Sequence, residues 1–177
     1  MKKSAIILLL IAAAVLFTAC GLPGGYPEYE QVDADDVISY DLLRDYVTAG
    51  MYNDDPENCE CFCALKIFSA EKVSDEDHYV YAWVFESVYS FKNGVLNEEG
   101  GSSYPCRFEV KKDGSTAEIT AADVPGDGAA YSEDIKKLFP DYVREQIKTV
   151  QDDGTVKELQ AADLEQAKAH FGADTNP

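Results

Sequence analysis

Hydrophobic and polar positions change rhythm along this chain, and each change marks an element. Val37, Tyr40, Leu43 and Val47 recur at helical spacing, with Ile38 and Leu42 alongside. The pattern predicts a helix over 36–49, capped by Asp35 or Asp36 and closed by Gly50. A polar loop over 53–58 follows, and then the period becomes two. Residues 60–73 read as a strand with Cys61, Cys63, Leu65 and Ile67 on one face. Ser74-Asp75-Glu76-Asp77 is a turn. In 78–92, Tyr79, Tyr81, Trp83, Phe85, Tyr89 and Phe91 alternate with Val80, Ala82, Val84, Glu86 and Val88. Both faces of that strand are largely apolar, which predicts a central strand covered on both sides, with Trp83 mostly buried. Asn93-Gly94 opens an expected loop that runs through Gly100-Gly101-Ser102-Ser103. Residues 104–112 form a third strand, with Cys106, Phe108 and Val110 inward. Asp113-Gly114 is a hairpin turn, and 115–123 form a fourth strand. Short turns between successive strands predict an antiparallel meander in which the first and third strands flank the second.

The helical period returns after Pro125-Gly126-Asp127-Gly128. Ser132 is expected to cap a short helix carrying Ile135, Leu138 and Phe139, and Pro140 to start another carrying Tyr142, Val143, Ile147 and Val150. Thr155-x-x-Glu158 reads as a capping box opening a last helix that ends at Phe171-Gly172. The apolar face of that helix is thin (Val156, Leu159, Leu164, Ala167, Phe171), so weak packing is expected. The fold class is α+β: an N-terminal helix, a four-stranded antiparallel meander and C-terminal helices. The order of helix then meander is similar to cystatin-like folds, an analogy that carries no function by itself.

The N-terminus changes the picture. Lys2 and Lys3 precede a thirteen-residue apolar run, Ala5 to Phe17, that is too short to span a bilayer. It ends in Thr18-Ala19-Cys20. A charged start, a short apolar stretch and small residues before a cysteine resemble the signal peptide and lipobox of bacterial lipoproteins. The resemblance implies cleavage before Cys20, lipidation of Cys20 and a place on the extracytoplasmic face of the cell membrane. One acyl chain binds membranes only marginally, so a terminus carrying two or three chains, palmitate among them, is expected. The chain then divides into a signal peptide (1–19), a lipidated cysteine with a Gly/Pro-rich flexible linker (20–35), an α+β domain (36–150) and a C-terminal helix with its tail (151–177).

Charge narrows the partners. The chain has 33 acidic and 15 basic residues, and loss of Lys2 and Lys3 leaves the mature part at about −20. Such a surface repels nucleic acid and anionic headgroups. The expected partners are the membrane, through the lipid, and an envelope protein or small ligand.

Four cysteines follow Cys20: Cys59, Cys61, Cys63 and Cys106. Export permits disulfides. The Cys-x-Cys-x-Cys run with a distant fourth thiol also invites a zinc site, but thiols on one strand face lie ~6.5–7 Å apart at the backbone, too far for tetrahedral zinc. One disulfide, reduced thiols and a metal all remain open. The meander allows at most one bridge, Cys59–Cys106, formed if Cys59 leaves the sheet, with Cys63 a reduced core residue. No metal ligand set and no cofactor is assigned.

Catalytic motifs are not found: no Gly-x-Ser-x-Gly elbow, P-loop or His-Glu-x-x-His occurs, and both histidines, His78 and His170, read as ordinary surface residues. The aromatic row Tyr79, Tyr81, Trp83, Phe85 and Tyr89 is either core or the lining of a candidate pocket under a curved sheet.

Tyr89-Ser90-Phe91-Lys92-Asn93-Gly94, Gly100-Gly101-Ser102, Pro105, Phe108, Lys112-Asp113-Gly114, Pro125-Gly126-Asp127-Gly128, Tyr131, Asp134-Ile135-Lys136 and Leu138-Phe139-Pro140 together resemble a pattern in uncharacterised exported lipoproteins of Gram-positive bacteria. The same pattern resembles the extracytoplasmic C-terminal region of antirepressor membrane proteins related to β-lactam sensors. The likeness spans roughly 60–145, and Gln166-Ala167-Lys168-Ala169-His170-Phe171 extends it. It supplies no catalytic residues, and the Ser-x-x-Lys motif of acylated β-lactam sensors is expected to be missing from the mature domain, so direct antibiotic sensing by acylation is not expected. The function expected is a non-catalytic binding or regulatory domain of the envelope. The alternatives are a small-molecule binding module with its pocket under the aromatic strand, and an unrecognised envelope enzyme.

Overall fold

The computed structural model describes residues 26–51, 55 and 58–173. The signal peptide and Cys20 lie outside the described residues. No helix among the described residues is long and apolar enough to cross a membrane.

The chain is α+β, built on one five-stranded antiparallel sheet whose spatial order follows the sequence: β1 (Glu30–Val32), β2 (Cys59–Lys72), β3 (Asp77–Lys92), β4 (Val95–Asp113) and β5 (Thr116–Asp123). Strands β2 and β4 flank β3, as the period-two pattern implies. The fifth strand, β1, falls in the segment expected to be linker; it pairs Glu30–Val32 with Ala70–Lys72 of β2.

The hairpin from β3 to β4 corrects a second expectation. Asn93 and Gly94 both take positive φ (55° and 79°), the geometry of a two-residue turn that matches strand twist. No long loop follows; 95–103 continue the strand. Gly100 and Gly101 therefore sit inside β4, opposite Val88 and Ser87. A Cβ on Gly101 would stand 2.6 Å from the Glu86 carbonyl oxygen and 2.7 Å from Ser87 Oγ. Glycine is needed here for close approach rather than for a turn.

Each face of β3 has its own cover. Val80, Ala82 and Val84 pack with Cys63, Leu65, Cys106, Phe108 and Val110 beneath Val37, Ile38, Leu43 and Val47. The helix over these residues is broken into α1 (Ala34–Val37) and α2 (Tyr40–Gly50). Ile38 is extended (φ −151°, ψ 149°) and buried at the break. Asp33 and Ser39 provide the caps, in place of Asp35 or Asp36. On the other face Tyr81, Trp83 and Phe85 pack with Phe139, Val143, Ile147, Val150 and Leu159. Phe139 is the extended cap residue that follows α3 (Tyr131–Leu138), and the others come from α4 (Asp141–Val150) and α5 (Thr155–Phe171). Helix α3 begins after a 3-10 turn, so Ser132 lies within it and caps nothing.

Helix α5 is anchored more firmly than its thin apolar stripe suggests. Its cap position is Gly154 (φ 88°), and Thr155 is the first helical residue rather than the cap. The Thr155 amide donates to Asp153 Oδ1, and Lys66 Nζ donates to Thr155 Oγ1 at 2.7 Å. Downstream, Phe62, Tyr89 and Ala167 form a satellite core with Leu164 and Phe171 against it. Two helix side chains also close the outer edge of β2: the Leu65 amide donates to the Tyr40 hydroxyl (3.0 Å), and Gln166 Nε2 donates to the Cys63 carbonyl (2.9 Å). Covered edge groups cannot recruit a foreign strand.

Asp163 faces into this interface with no exposed surface, and neither carboxylate oxygen closes a hydrogen bond among the described residues. Burial pushes its carboxyl up to about 7, and the nearby Ser87 and Tyr89 hydroxyls of β3 offset this only in part. Glu86 of β3 and Glu98 of β4 push in the same direction as burial. A folded carboxyl raised above its ordinary 3.8 binds its proton more tightly than the unfolded chain does. Stability from this group is therefore greatest below pH ~4 and falls by a few kcal/mol as pH rises to ~7. Denaturant titrations should show Asp163→Asn removing that fall; an unchanged pH profile in the variant would contradict this account.

Candidate functional site

A second buried carboxylate, Glu71, has 2% of its surface exposed and, unlike Asp163, is fully partnered. A strict period of two would place it with Leu65 and Ile67. The β2–β3 register instead slips between Ile67 and Ser69, leaving Phe68 as the extra residue of a bulge. Beyond the bulge Ala70 joins the Leu65 face, and Glu71 turns to the aromatic face.

Three tyrosines meet it there. Tyr81 donates to Glu71 Oε2 at 2.6 Å and Tyr26 to the same oxygen at 3.1 Å. Tyr142, on α4, donates to Oε1 at 3.0 Å. The Tyr26 and Tyr81 hydroxyls also touch each other, and Ser69 Oγ lies 3.4 Å from the Tyr142 hydroxyl. Burial, reinforced by Glu71, pushes the Tyr142 phenol up to about 12. The phenols of Tyr26 and Tyr81 are driven up by burial too. All three are thus held neutral, as fixed donors.

The aromatic array continues outward. Tyr26 meets Tyr29 edge to face at 6.2 Å, and Tyr29 meets Tyr79 at 5.8 Å. The Arg107 guanidinium lies 4.4 Å from the Tyr79 ring centre and pairs with Asp123 at 2.7 Å. Against this array opens a cavity of about 650 Å³, lined by Tyr26, Tyr29, Gln31, Glu71 and Tyr142, with Pro27, Glu28, Pro140 and Asp141 at its margins. A second cavity, about 480 Å³, lies beside Trp83, whose Nε1 donates to Ser103 Oγ at 2.7 Å.

The candidate pocket row of β3 is dispersed by the fold. Tyr81, Trp83 and Phe85 are core beneath the C-terminal helices, and Tyr89 belongs to the satellite core. Tyr79 is half-buried under Arg107, Trp83 borders the smaller cavity, and Tyr81 reaches Glu71 through its hydroxyl alone. Glu71, Tyr26, Tyr29 and Tyr142 were not legible as a site, because the bulge that collects them leaves no mark in the spacing.

The cysteines correct another expectation. Cys59 starts β2 opposite Ser90, whereas Cys106 lies opposite Ala82. Eight positions along β3 separate them by ~27 Å, which rules out the expected Cys59–Cys106 bridge in this register. Cys106 and Cys63 are buried thiols; desolvation drives the first up strongly and the second up to about 12. Such thiols are inert rather than nucleophilic. Among the described residues no three His, Cys, Asp or Glu side chains converge to hold a metal ion.

Ser69-Ala70-Glu71-Lys72 does carry the Ser-x-x-Lys spacing of acylated serines. Here it lies on a strand, so Ser69 and Lys72 point to opposite faces. Lys72 Nζ is engaged by Asp75 at 2.8 Å in solvent, and it cannot activate Ser69. His78 is buried at the start of β3 rather than on the surface; His170 is exposed and packs edge-on against Phe62 at 5.5 Å.

No family model, curated protein or solved structure matches the chain.

The Glu71 cluster sets a graded expectation for stability. Tyr142→Phe removes one of three hydrogen bonds and should cost about 1–2 kcal/mol. Glu71→Ala strips the acceptor from three partly or fully buried hydroxyls and should cost about 3 kcal/mol or more. Urea unfolding that finds both variants within ~0.5 kcal/mol of wild type would contradict the cluster.

Proposed function

We propose that this chain is a lipid-anchored extracytoplasmic lipoprotein whose folded part is a non-catalytic binding domain, with the cavity beside Glu71 as its ligand site. The cavity itself carries the reading: about 650 Å³, tyrosine-walled, with one buried carboxylate. Its volume is that of a small-molecule site, and its walls set tyrosine and proline rings beside Gln31 and three carboxylates. The hydroxyls around Glu71 support binding over catalysis, because raised phenols locked onto a carboxylate position a ligand but do not exchange protons near neutral pH.

The placement suits a tethered protein. Tyr26, which closes one wall of the cavity, follows Cys20 by only six residues, so a lipidated terminus holds the site near the membrane. The acidic surface keeps the domain off anionic headgroups. A likeness to cystatin-type folds remains part of this proposal, supported by α2 packed on one face of an antiparallel meander. A role in envelope regulation follows only from the resemblance to antirepressor regions.

Two measurements test the reading. Cys20→Ala should move the protein from the membrane fraction to the medium or leave an unprocessed precursor; fractionation and migration like wild type would remove the anchor. Saturation-transfer NMR against a mixed set of small metabolites should yield binders that Tyr29→Leu abolishes. An empty screen, or binders indifferent to Tyr29, would overturn the assignment of the cavity.

A further inference from the structure

We propose that the cavity beside Glu71 takes a small organic cation, a quaternary or substituted ammonium group seated between tyrosine rings and carboxylates. The inference rests on the cavity being a binding site, and adds the chemistry of its ligand. Three carboxylates (Glu28, Glu71 and Asp141) line or border it, and no lysine or arginine does. Glu71 is buried, yet among the described residues its hydrogen-bond partners are neutral hydroxyls and it forms no ion pair. Buried carboxylates are ordinarily compensated by a cation as well. Arg107 does not fill this role; it is committed to Asp123 and to the Tyr79 ring.

The rings complete the argument. Tyr26, Tyr29 and Tyr142 wall the cavity, and tyrosine faces attract weakly hydrated cations. The same aromatic array already holds one cation this way, Arg107 at 4.4 Å from the Tyr79 ring centre. A hard metal ion fits poorly. It needs six or more oxygens at close range, whereas the Glu71 oxygens already accept three hydroxyls and Glu28 and Asp141 are exposed.

The test compares choline with its neutral carbon isostere, 3,3-dimethylbutan-1-ol, by calorimetry and saturation-transfer NMR on the full chain in non-ionic detergent. Choline should bind at least tenfold more tightly than the isostere. Tyr29→Leu should weaken choline at least fivefold, and Tyr29→Phe, which keeps the ring, should restore it. Glu28→Gln with Asp141→Asn should also weaken it. Equal binding of the isostere would overturn the cation and leave the cavity standing as an apolar site. Binding of neither probe would overturn the cation too, and the metabolite screen then judges the cavity separately. Choline binding indifferent to Tyr29, or displaced by magnesium at constant ionic strength, would reduce the effect to diffuse attraction by an acidic surface and overturn the proposal.

Discussion

One buried carboxylate ties together parts of the chain that have little else in common. Glu71 comes from β2, Tyr81 from β3, Tyr142 from α4, and Tyr26 from the segment that leads in from the N-terminus. A carboxylate taken out of water is costly unless its oxygens are satisfied, so this position dictates what surrounds it. Each hydroxyl must arrive with its own element in place, which fixes where the N-terminal segment enters and how α4 lies on the sheet. The short strand β1 pairs with the same stretch of β2 and holds that entry from the other side.

The sheet makes this arrangement possible by being covered on both faces. Strand β3 divides its side chains between two cores, the small aliphatic ones beneath α1 and α2 and the large aromatic ones beneath α3 to α5. A tyrosine row on such a strand would ordinarily be sealed. It stays buried over Tyr81 and opens beside Glu71 past the bulge at Phe68, where β2 carries a charge among the aromatics, with the smaller cavity at Trp83 set apart from it. The cavity is thus a consequence of one inserted residue.

Much of the fold was legible in the sequence because its strands are long and regular. The alternation through Tyr79, Tyr81, Trp83 and Phe85 identified the central strand and its burial, and Asp113-Gly114 identified a turn. What escaped was local geometry that periodicity averages away. Asn93-Gly94 is a tight hairpin, so the glycines at 100 and 101 serve strand contact rather than a loop. Ile38 breaks the first helix because its side chain is drawn into the core, at the cost of its helical backbone. Most consequential was the bulge, which reverses the face of every β2 residue after it. An unbroken period would have left Glu71 on the Leu65 and Ile67 face, away from the tyrosines, and Tyr26 read as linker. The cysteine run failed for the opposite reason: Cys59 stays in the ladder, and regularity keeps it far from Cys106.

The central claim is that the bulge turns Glu71 into a ring of tyrosine hydroxyls, and NMR on selectively labelled glutamate and tyrosine tests it most directly. The expected result is a set of NOEs from the Glu71 side chain to the rings of Tyr26, Tyr81 and Tyr142, with tyrosine hydroxyl protons that exchange slowly with water. NOEs from Glu71 to the methyl groups of Leu65 and Ile67, with hydroxyls in fast exchange, would place it on the other face and contradict the account.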